Sequence, residues 1–398
     1  MTTDSDGKYT STLPIAPLTT GPKHHYFGYY DKFSENLSGR YVLSHETTFW
    51  DRPPRGDDRI PLGMIDLKEA NRFQTVAETS AWSWQQGAML QWWPGEPEST
   101  IVYNDRGGDE FVSVVQDIRT GSRRVLPRPV AAVNRTGKKA LSLNFSRLAD
   151  LRPGYGYAEL PDKFADVKSP ADDGIYLLDM QTGKYDLIIS VAQMTALNPE
   201  PTMAGAMHWF NHFLFSPDDK RFIFLHRWFQ KQGEGVYWFT RLYTANVDGT
   251  GIRCLNNQKM TSHFDWADES HVIAWANQDG IGNRYYLFSD DGSGKAEIIG
   301  DTELTPFGDG HCSYSPDRKW ILTDTYPDKE KHRTLLLFNV EKKRRITLGR
   351  FFSVPTITEI RCDLHPRWMR DGKGITLDSS HTGVRQIYGM DLTSIVGE

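Results

Sequence analysis

Several histidines of this chain stand at the ends of short apolar runs, directly beside repeated turn signals. The five that share this placement most clearly are His212, His226, His263, His311 and His365. Histidine serves as a general acid or base near neutral pH, and its neutral ring is a common metal ligand. A lone histidine is more often an ordinary core or surface residue. Five in equivalent places indicate a shared polar site.

Charged residues alternate with one of these histidines near the end of the chain. Arg361, Asp363, His365 and Arg367 are two residues apart, so on a strand all four side chains would point to one face. Asp363 and His365, joined by His311, offer carboxylate and imidazole ligands of the kind that suit Mn²⁺, Zn²⁺ or Fe²⁺. The alternative is a direct ion pair between Asp363 and an arginine. Both arginines need an anion, from the protein or from a ligand.

Aromatic and hydrogen-bonding residues occur in similarly placed runs, which is what a sugar site requires. A pyranose has apolar C–H faces and a rim of hydroxyl groups, and a pocket for it combines rings with polar side chains. His24 lies in KHHYFGYYDK, and Tyr155 lies in RPGYGY. The candidate ligand-binding residues are His24, Tyr155, His226, Arg227, Arg361 and Arg367.

The elements that must position these residues are short β-strands in a repeating pattern. An apolar run, a Ser-Pro-Asp turn or its equivalent and a second apolar run recur in FLFSPDDKRFIFLH, CSYSPDRKWILTD and RWMRDGKGITLDS. Each predicts a hairpin. Outer hairpins follow several of these, as in YTANVDGTGIRCL and LFSDDGSGKAEII, and two hairpins make a four-stranded blade.

Units of roughly 40 to 60 residues that bury their faces only against neighbours are typical of a β-propeller. About seven units fit the 398 residues. We therefore predict an all-β fold, a seven-bladed propeller of four-stranded antiparallel blades, forming a single domain over residues 1–398. Residues 147–171, rich in Pro, Gly and Tyr, are predicted to be a rim insertion.

Composition and charge narrow the classes of partner. A net charge of −5 and a pI of about 6.2 give no basic stripe for nucleic acid and no attraction to anionic lipid. Neither a signal-peptide pattern nor an apolar stretch of about 18 residues occurs, so we expect a cytoplasmic protein without nucleic-acid or membrane partners. Three scattered cysteines favour core residues over disulfides. The sequence identifies no protein partner.

Over nearly its whole length, the chain resembles the oligogalacturonate lyases, a family of seven-bladed propeller polysaccharide lyases. The similar segments occur in the same order. NHFLFSPDD is similar to the family's GHPIYRP, FLHRW to FCHEG, RLYTANVDG to RMWLVNEDG, SHFDW to THEFW, and HCSYSPD to HLMSNFD. The last unit, from CDLHPRW to IYGMDL, resembles THPHPSF through IYIADV. The resemblance implies the propeller fold and a lyase activity.

The resemblance also implies roles for single residues. His311 and His365 fall on histidines that bind manganese in the family, and Asp363 falls on a third ligand histidine. Ile360 stands where the family has a glutamine ligand, and isoleucine cannot bind a metal. Arg241 falls on the arginine implicated in catalysis. The expected cofactor is thus a divalent metal, Mn²⁺ by analogy, in an altered set of ligands.

The reaction implied is metal-assisted β-elimination on a small acidic oligosaccharide: a proton leaves C5 of a uronic-acid residue and the C4–O bond breaks. Arg241 is a difficult base because the pKa of arginine exceeds about 12. His212 or His263 is better suited to the task. Both assignments stay open at the level of sequence.

Two other classes of function remain. A glycoside hydrolase on the same scaffold would use carboxylates such as Asp105, Asp265 or Asp363 as acid and base. A propeller without catalytic activity would bind a glycan or a protein partner, since a fold does not by itself imply chemistry.

Overall fold

The predicted hairpins form because a serine closes each Ser-Pro-Asp turn from the inside. Ser216 Oγ donates to the Asp218 carboxylate (2.7 Å) and accepts from the backbone N–H of Arg221 (3.0 Å). Ser315 makes the equivalent contacts in a later unit. These bonds fix the turn, and with it the register of the two strands that it joins.

A computed structural model describes residues 2–3, 7–158, 160–232 and 235–397. Its strands, in chain order, are β1 (Thr2–Thr3), β2 (Tyr9–Ser11), β3 (Ile15–Pro17), β4 (His24–Tyr26), β5 (Tyr41–Thr47), β6 (Ile60–Asp66), β7 (Arg72–Thr79), β8 (Gln91–Trp92), β9 (Thr100–Gly107), β10 (Glu110–Asp117), β11 (Arg123–Leu126), β12 (Ala132–Val133), β13 (Lys139–Ser142), β14 (Gly174–Asp179), β15 (Tyr185–Ser190), β16 (Met207–Phe215), β17 (Arg221–Gln232), β18 (Gly235–Asn246), β19 (Arg253–Asn256), β20 (Thr261–Trp266), β21 (His271–Gln278), β22 (Gly282–Ser289), β23 (Ala296–Ile299), β24 (Ser313–Tyr314), β25 (Trp320–Thr323), β26 (His332–Asn339), β27 (Arg344–Phe352), β28 (Arg367–Trp368), β29 (Gly374–Ser379) and β30 (Gln386–Asp391). The helices are α1 (Phe145–Leu151), α2 (Val191–Ala196) and α3 (Thr393–Val396), with single 3₁₀ turns at Pro201–Met203, Thr305–Phe307 and Thr358–Ile360.

Within the described part of the chain these strands form seven antiparallel sheets, which are the blades. Blade 1 is β4-β5-β6-β7, blade 2 is β8-β9-β10-β11, blade 3 is β12-β13-β14-β15, blade 4 is β16-β17-β18-β19 and blade 5 is β20-β21-β22-β23. Blade 6 is β24-β25-β26-β27, and blade 7 is β28-β29-β30 with β3 at its outer edge. The predicted seven-bladed β-propeller is confirmed.

The N-terminal segment closes the ring. Strand β3 pairs antiparallel with β30, with Ile15 opposite Met390 and Pro17 opposite Tyr388, and so completes blade 7. Strand β2 pairs with β27 and β1 pairs with β2, so the sheet of blade 6 is extended to six strands. The first and last parts of the chain are thus joined by backbone hydrogen bonds, which hold blade 7 against blade 1.

Apolar side chains from neighbouring blades fill the space between the sheets. Leu225 and Leu242 of blade 4, for example, pack in one cluster with Phe264, Val272 and Ala274 of blade 5, and all five are buried. Each blade therefore needs both neighbours to bury its faces. Among the described residues, no helix is long and apolar enough to cross a bilayer.

The predicted insertion at residues 147–171 lies between β13 and β14, and it begins inside α1. One buried side chain organises it. Arg147 donates to Asp162 (3.0 Å) and to the carbonyl groups of Phe164, Val167 and His208 (3.1, 3.0 and 2.7 Å). The bond to the His208 carbonyl group ties the described part of this segment to blade 4.

One local expectation was wrong. Residues 361–366 do not form a strand; a 3₁₀ turn ends at Ile360, irregular backbone follows, and β28 begins only at Arg367. His365 has a positive φ of 41°, which extended strands do not contain. The four alternating side chains consequently do not share one face.

A buried histidine joins blades 1 and 2 and makes the fold sensitive to acid. The Nδ1 atom of His45 lies 3.1 Å from the carbonyl oxygen of Tyr26, and Nε2 accepts the backbone N–H of Ala88 at 2.9 Å. A Cβ on Gly87 would lie 2.3 Å from this ring, so the close approach requires glycine. Burial lowers the pKa of His45 from 6.5 to about 3.

We expect acid to weaken the fold through His45. Since its folded pKa lies below its unfolded pKa, this stabilisation is complete above pH 6.5 and is lost as the pH falls toward 3. At pH 5 the loss is about 2 kcal/mol of unfolding free energy. Urea denaturation at pH 7 and pH 5 measures it. Between pH 7 and pH 5, the unfolding free energy of His45→Gln should fall by about 2 kcal/mol less than that of the parent. An equal fall in both proteins would contradict the assignment of this acid sensitivity to His45.

Candidate metal and ligand site at the propeller axis

Side chains from all seven blades meet at one end of the central channel. Tyr29 is at the centre: its ring stacks on His212 at 4.9 Å and meets His365 and His311 edge-on at 5.0 and 5.9 Å. The contributors, from blade 1 to blade 7, are Tyr29, Gln86, Tyr155, His212, His263, His311 and His365. Only closure of the ring brings residues so distant in sequence together.

Three of the predicted ligands form a compact group. His311, Asp363 and His365 each offer a ligand atom, and these atoms lie within 4.8 Å of one another. Nε2 of His311, Nε2 of His365 and Oδ2 of Asp363 are all buried, and none of them forms a hydrogen bond within the described part of the chain. Buried polar atoms rarely lack a partner, and such a group suggests a bound ion or water.

The other nitrogen of each histidine fixes its tautomer. His311 Nδ1 lies 2.8 Å from the Asp324 carboxylate, and His365 Nδ1 lies 2.5 Å from the carbonyl oxygen of Gly28. Both oxygens can only accept, so both Nδ1 atoms carry the proton. Each Nε2 therefore has a free lone pair, which is the form that binds a metal. These two residues fit a divalent cation well.

Asp363 has a more complex environment, because the predicted ion pair is also present. Its Oδ1 lies 2.6 Å from Arg333 Nη2, and its Oδ2 lies 2.8 Å from Arg361 Nε. The N–H group of Arg361 Nε is directed at Oδ1 and not at Oδ2, so the contact with Oδ2 is an ion pair without a hydrogen bond. Burial disfavours the ionised form, but the guanidinium groups of Arg333 and Arg361 outweigh it and hold the pKa of Asp363 well below its ordinary value.

Irregular inner strands position His212 and His263. The pairing of β16 with β17 shifts register between Asn211 and Phe213, and His212 occupies this bulge with a φ of 52°. A second irregularity in β20 contains His263. Bulges redirect side chains beside functional sites. The ring of His263 lies 4.0 Å from that of His311, and its Nδ1 lies 3.0 Å from Asp309 Oδ1.

Tyr29 and His212 form a hydrogen-bonded pair. Gln86 Nε2 donates to His212 Nδ1 at 3.4 Å, and His212 Nε2 lies 3.0 Å from the Tyr29 hydroxyl. Burial, followed by the charge of Arg227, lowers the pKa of His212 well below 6.5, so the ring is neutral at pH 7. With Nδ1 accepting, Nε2–H donates to the tyrosine oxygen. The Tyr29 hydroxyl proton then remains available for a ligand.

Two further arginines make the site cationic. Arg227 is buried, and its Nε finds no hydrogen-bond partner among the residues that the structure describes. Burial, followed by the charge of Arg152, lowers its pKa to about 10, so it is still charged at pH 7. Arg361 Nη2 donates to the Tyr155 hydroxyl at 3.2 Å, which places the insertion against the cluster. Tyr326, 37% exposed, lies beside Arg361 and His311.

Four of the sequence-predicted residues make their contacts elsewhere. Arg241, on the third strand of blade 4, donates to the Asn198 carbonyl group at 2.7 Å. The remaining three and their contacts are His226 with His208 Nδ1 (3.1 Å), Arg367 with Asp378 (2.8 Å), and His24 with the backbone N–H of Arg385 (3.2 Å). The other eight, His212, His263, Arg227, Arg361, Tyr155, His311, Asp363 and His365, lie in or beside the cluster.

Sequence reasoning missed Tyr29, Asp324, Arg333 and Tyr326. For Asp324 a signal was present: it ends the second strand of its repeat in KWILTD, and Asp378 takes the corresponding place in KGITLD. Two aspartates at the same point of successive repeats suggest a shared inward position. Tyr29 gave no such signal, because aromatic residues are abundant throughout the chain.

Searches of protein-family models and of curated proteins find no match for this chain. Solved structures do match. The chain resembles an oligogalacturonate lyase from Vibrio parahaemolyticus (TM-score 0.65, 14% identity, covering 98% of this chain and 95% of that one). It also resembles an oligogalacturonate lyase in complex with manganese (TM-score 0.72, 16% identity, covering 100% and 96%).

A prolyl endopeptidase structure matches less well, with a TM-score of 0.53 and 9% identity, and the match covers 94% of this chain but 48% of that one. The resemblance to the oligogalacturonate lyases is thus confirmed at the level of the fold. At 14% and 16% identity the likeness establishes the propeller architecture and not the reaction.

We expect Mn²⁺ to bind at His311, Asp363 and His365. Binding to the folded protein alone raises stability by about 2.7 kcal/mol at one hundred times the dissociation constant, so added Mn²⁺ should raise the thermal unfolding midpoint. Calorimetric titration gives the stoichiometry. His365→Ala should abolish the binding, because it removes one of the two free imidazole lone pairs.

A matched control exists in the second ligand-type group of the described residues, Asp328, Glu330 and His332. That group is partly exposed, and Arg350 already pairs with both carboxylates. His332→Ala should therefore leave Mn²⁺ binding unchanged. Loss of binding in His332→Ala together with retention in His365→Ala would place the metal outside the channel.

Proposed function

We propose that this protein is a carbon–oxygen lyase that cleaves uronic-acid-containing oligosaccharides by metal-assisted β-elimination. The observation that carries the proposal is the group of three buried ligand atoms on His311, Asp363 and His365 that form no hydrogen bond with a described residue, beside cationic side chains of which one, Arg361, is ion-paired with Asp363. The fold shared with the oligogalacturonate lyases, one of which is in complex with manganese, supports it.

The charges around the channel favour an acidic ligand. Arg333 and Arg361 share one carboxylate, that of Asp363, and Arg227 has no ion pair with any described residue. A buried guanidinium without an anion is costly, and a carboxylate from a ligand would satisfy it in a bidentate manner. A neutral sugar would leave this charge uncompensated.

A divalent cation held by the two histidines and Asp363 would withdraw charge from the C6 carboxylate of the sugar and so acidify the C5–H bond. The chain itself orients the substrate. Arg361 and Arg227 lie where they can bind carboxylate groups, and the exposed ring of Tyr326 offers a face for the apolar side of a pyranose.

Proton transfer is assigned to the pair of His212 and Tyr29. In the tautomer set by Gln86, the Tyr29 hydroxyl can supply a proton to the leaving C4 oxygen, and Nδ1 of the neutral His212 ring can take the C5 proton once the Gln86 amide turns away from it. His263 is the second candidate base, because its ring also lies beside His311. Arg241 is instead directed toward Asn198 and Glu200, away from the cluster.

The geometry does not favour a glycoside hydrolase, since the three candidate carboxylates do not converge. Asp105 accepts from Thr79 and Ser80, while Asp265 lines a separate cavity of about 520 Å³ and accepts from the backbone N–H of Tyr314. Asp363 is held between two arginines. No pair among them faces a common space, as an acid and a base must.

The test is to incubate the protein with Mn²⁺ and a panel of short uronate oligosaccharides and to follow the ultraviolet absorbance of the unsaturated product. We expect turnover with at least one uronide. His212→Ala and Tyr29→Phe should each lower kcat by about 10²- to 10⁴-fold. His271→Ala is the matched control, because the ring of His271 contacts the surface residue Asp268 and its neighbour Ser270.

No absorbance with any uronide would overturn the lyase proposal, and release of reducing ends without absorbance would indicate a hydrolase. If activity survives in His212→Ala but is lost in Arg241→Lys, then the base is Arg241. If it is lost in His263→Ala alone, then the base is His263.

The same charges predict that metal and acidic ligand bind cooperatively. The ionised Asp363 carboxylate and the guanidinium groups of Arg333 and Arg361 carry a net charge of +1, and a divalent cation raises this to +3. An oligouronate offsets that repulsion. We expect a saturating uronate to tighten Mn²⁺ binding about tenfold, and Mn²⁺ to tighten uronate binding by the same factor.

Calorimetric titration of each ligand, with and without the other, measures this coupling. Arg361→Met should tighten Mn²⁺ binding in the absence of sugar and reduce the coupling. Arg119→Met, which alters an exposed arginine paired with Glu96, should change neither. Independent binding of the two ligands in the parent protein would contradict the charge argument.

A further inference from the structure

Asp324 lies directly behind the two histidines of the candidate metal site. It follows β25 of blade 6, and its side chain is fully buried. Among the described residues, no arginine or lysine forms an ion pair with Asp324. The side chain that contacts its carboxylate is that of His311. An ionised carboxylate at such a place requires several hydrogen bonds to offset its burial.

Those hydrogen bonds all come from the two metal-site histidines. Oδ1 of Asp324 accepts the backbone N–H of His311 and its Nδ1–H, each at 2.8 Å. Oδ2 accepts the backbone N–H of His365 at 3.3 Å. One carboxylate therefore holds the main chain of both histidines, which come from blades 6 and 7, and the ring of one.

The bond to His365 stabilises an unfavourable conformation. His365 has a φ of 41°, a region that costs a non-glycine residue of order 1 kcal/mol or more unless its surroundings hold it there. Asp324 holds the backbone N–H on one side, and the Gly28 carbonyl group holds the ring Nδ1 on the other. The side chain of His365 is thereby directed toward His311 and Asp363.

We propose that Asp324 is the positioning residue of the metal site: it fixes the Nδ1–H tautomer of His311 and sets the spacing of the two Nε2 atoms. Its negative charge also lies next to a group whose net charge is otherwise +1. This inference rests on the metal site of the proposed function but not on the reaction, since positioning acts on metal affinity whichever bond is cleaved.

A nearby pair provides the comparison. Asp309 contacts Nδ1 of His263 at 3.0 Å, as Asp324 contacts Nδ1 of His311, but it contacts one histidine only, and that histidine is outside the three-residue group. Its side chain is also 20% exposed. Asp309→Asn therefore makes the same chemical change to an aspartate–histidine pair without altering the two imidazole ligands.

The experiment compares Mn²⁺ dissociation constants by calorimetric titration and Co²⁺ absorption spectra for the parent, Asp324→Asn and Asp309→Asn. Asp324→Asn should weaken Mn²⁺ binding about 10- to 100-fold. The single amide oxygen can still accept from His311, but the amide N–H₂ group cannot accept the backbone N–H of His365, so that bond is lost. The Co²⁺ spectrum should change in intensity and position. Asp309→Asn should stay within about threefold of the parent and keep its spectrum.

If Asp324→Asn does not fold, Asp324→Glu replaces it, because this variant keeps the negative charge. Its carboxylate oxygens are displaced, so Mn²⁺ binding should be weaker than in the parent and stronger than in Asp324→Asn. The thermal midpoint of the metal-free proteins separates a loss of positioning from a loss of fold. Unchanged Mn²⁺ affinity in a folded Asp324 variant overturns this inference and leaves the proposed function standing. Absence of metal binding in the parent overturns both.

Discussion

Closure of the ring is the constraint on which the site depends. Each blade buries its two faces only against its neighbours, so blade 7 must meet blade 1, and strand β3 secures that contact by pairing with β30. The innermost strands then surround one axis. Residues from Tyr29 to His365, more than three hundred positions apart, meet there in ring contact at 5.0 Å. Neither half of the chain contains the site alone.

This arrangement concentrates buried polar groups at the axis, and their burial lowers the stability of the fold. The axis holds four histidines, Arg227 and the ion-paired Asp363, and among the described residues Arg227 has no ion-pair partner and several atoms of this group have no hydrogen-bond partner. A core built for stability alone would use apolar residues here. Left-handed backbone at His212 and His365 adds further strain. Strain and unsatisfied polar atoms in one place are features of functional sites, and here they coincide with the candidate ligand atoms.

Most of the fold could be predicted from the sequence, because each repeated hairpin is encoded by residues that are close together in the chain. The turns around Ser216 and Ser315 predict hairpins within about fifteen residues, and the structure contains them at β16–β17 and β24–β25. The candidate metal ligands could also be named, through the spacing of Asp363 and His365 and the family resemblance. Asp324 and Tyr29 could not, because their roles depend on contacts with other blades.

By itself, the sequence determined the repeat, the seven-bladed class and the polar residues available near the axis, since turn chemistry and alternating burial act over short distances. Only the tertiary structure decided which of these residues meet. It placed Arg227, Arg361 and Tyr155 around the cluster, turned Arg241 toward Asn198, and replaced the expected strand at residues 361–366 with irregular backbone. The physical reason is that side-chain direction at the axis depends on bulges, left-handed residues and ring closure, and these result from packing between blades.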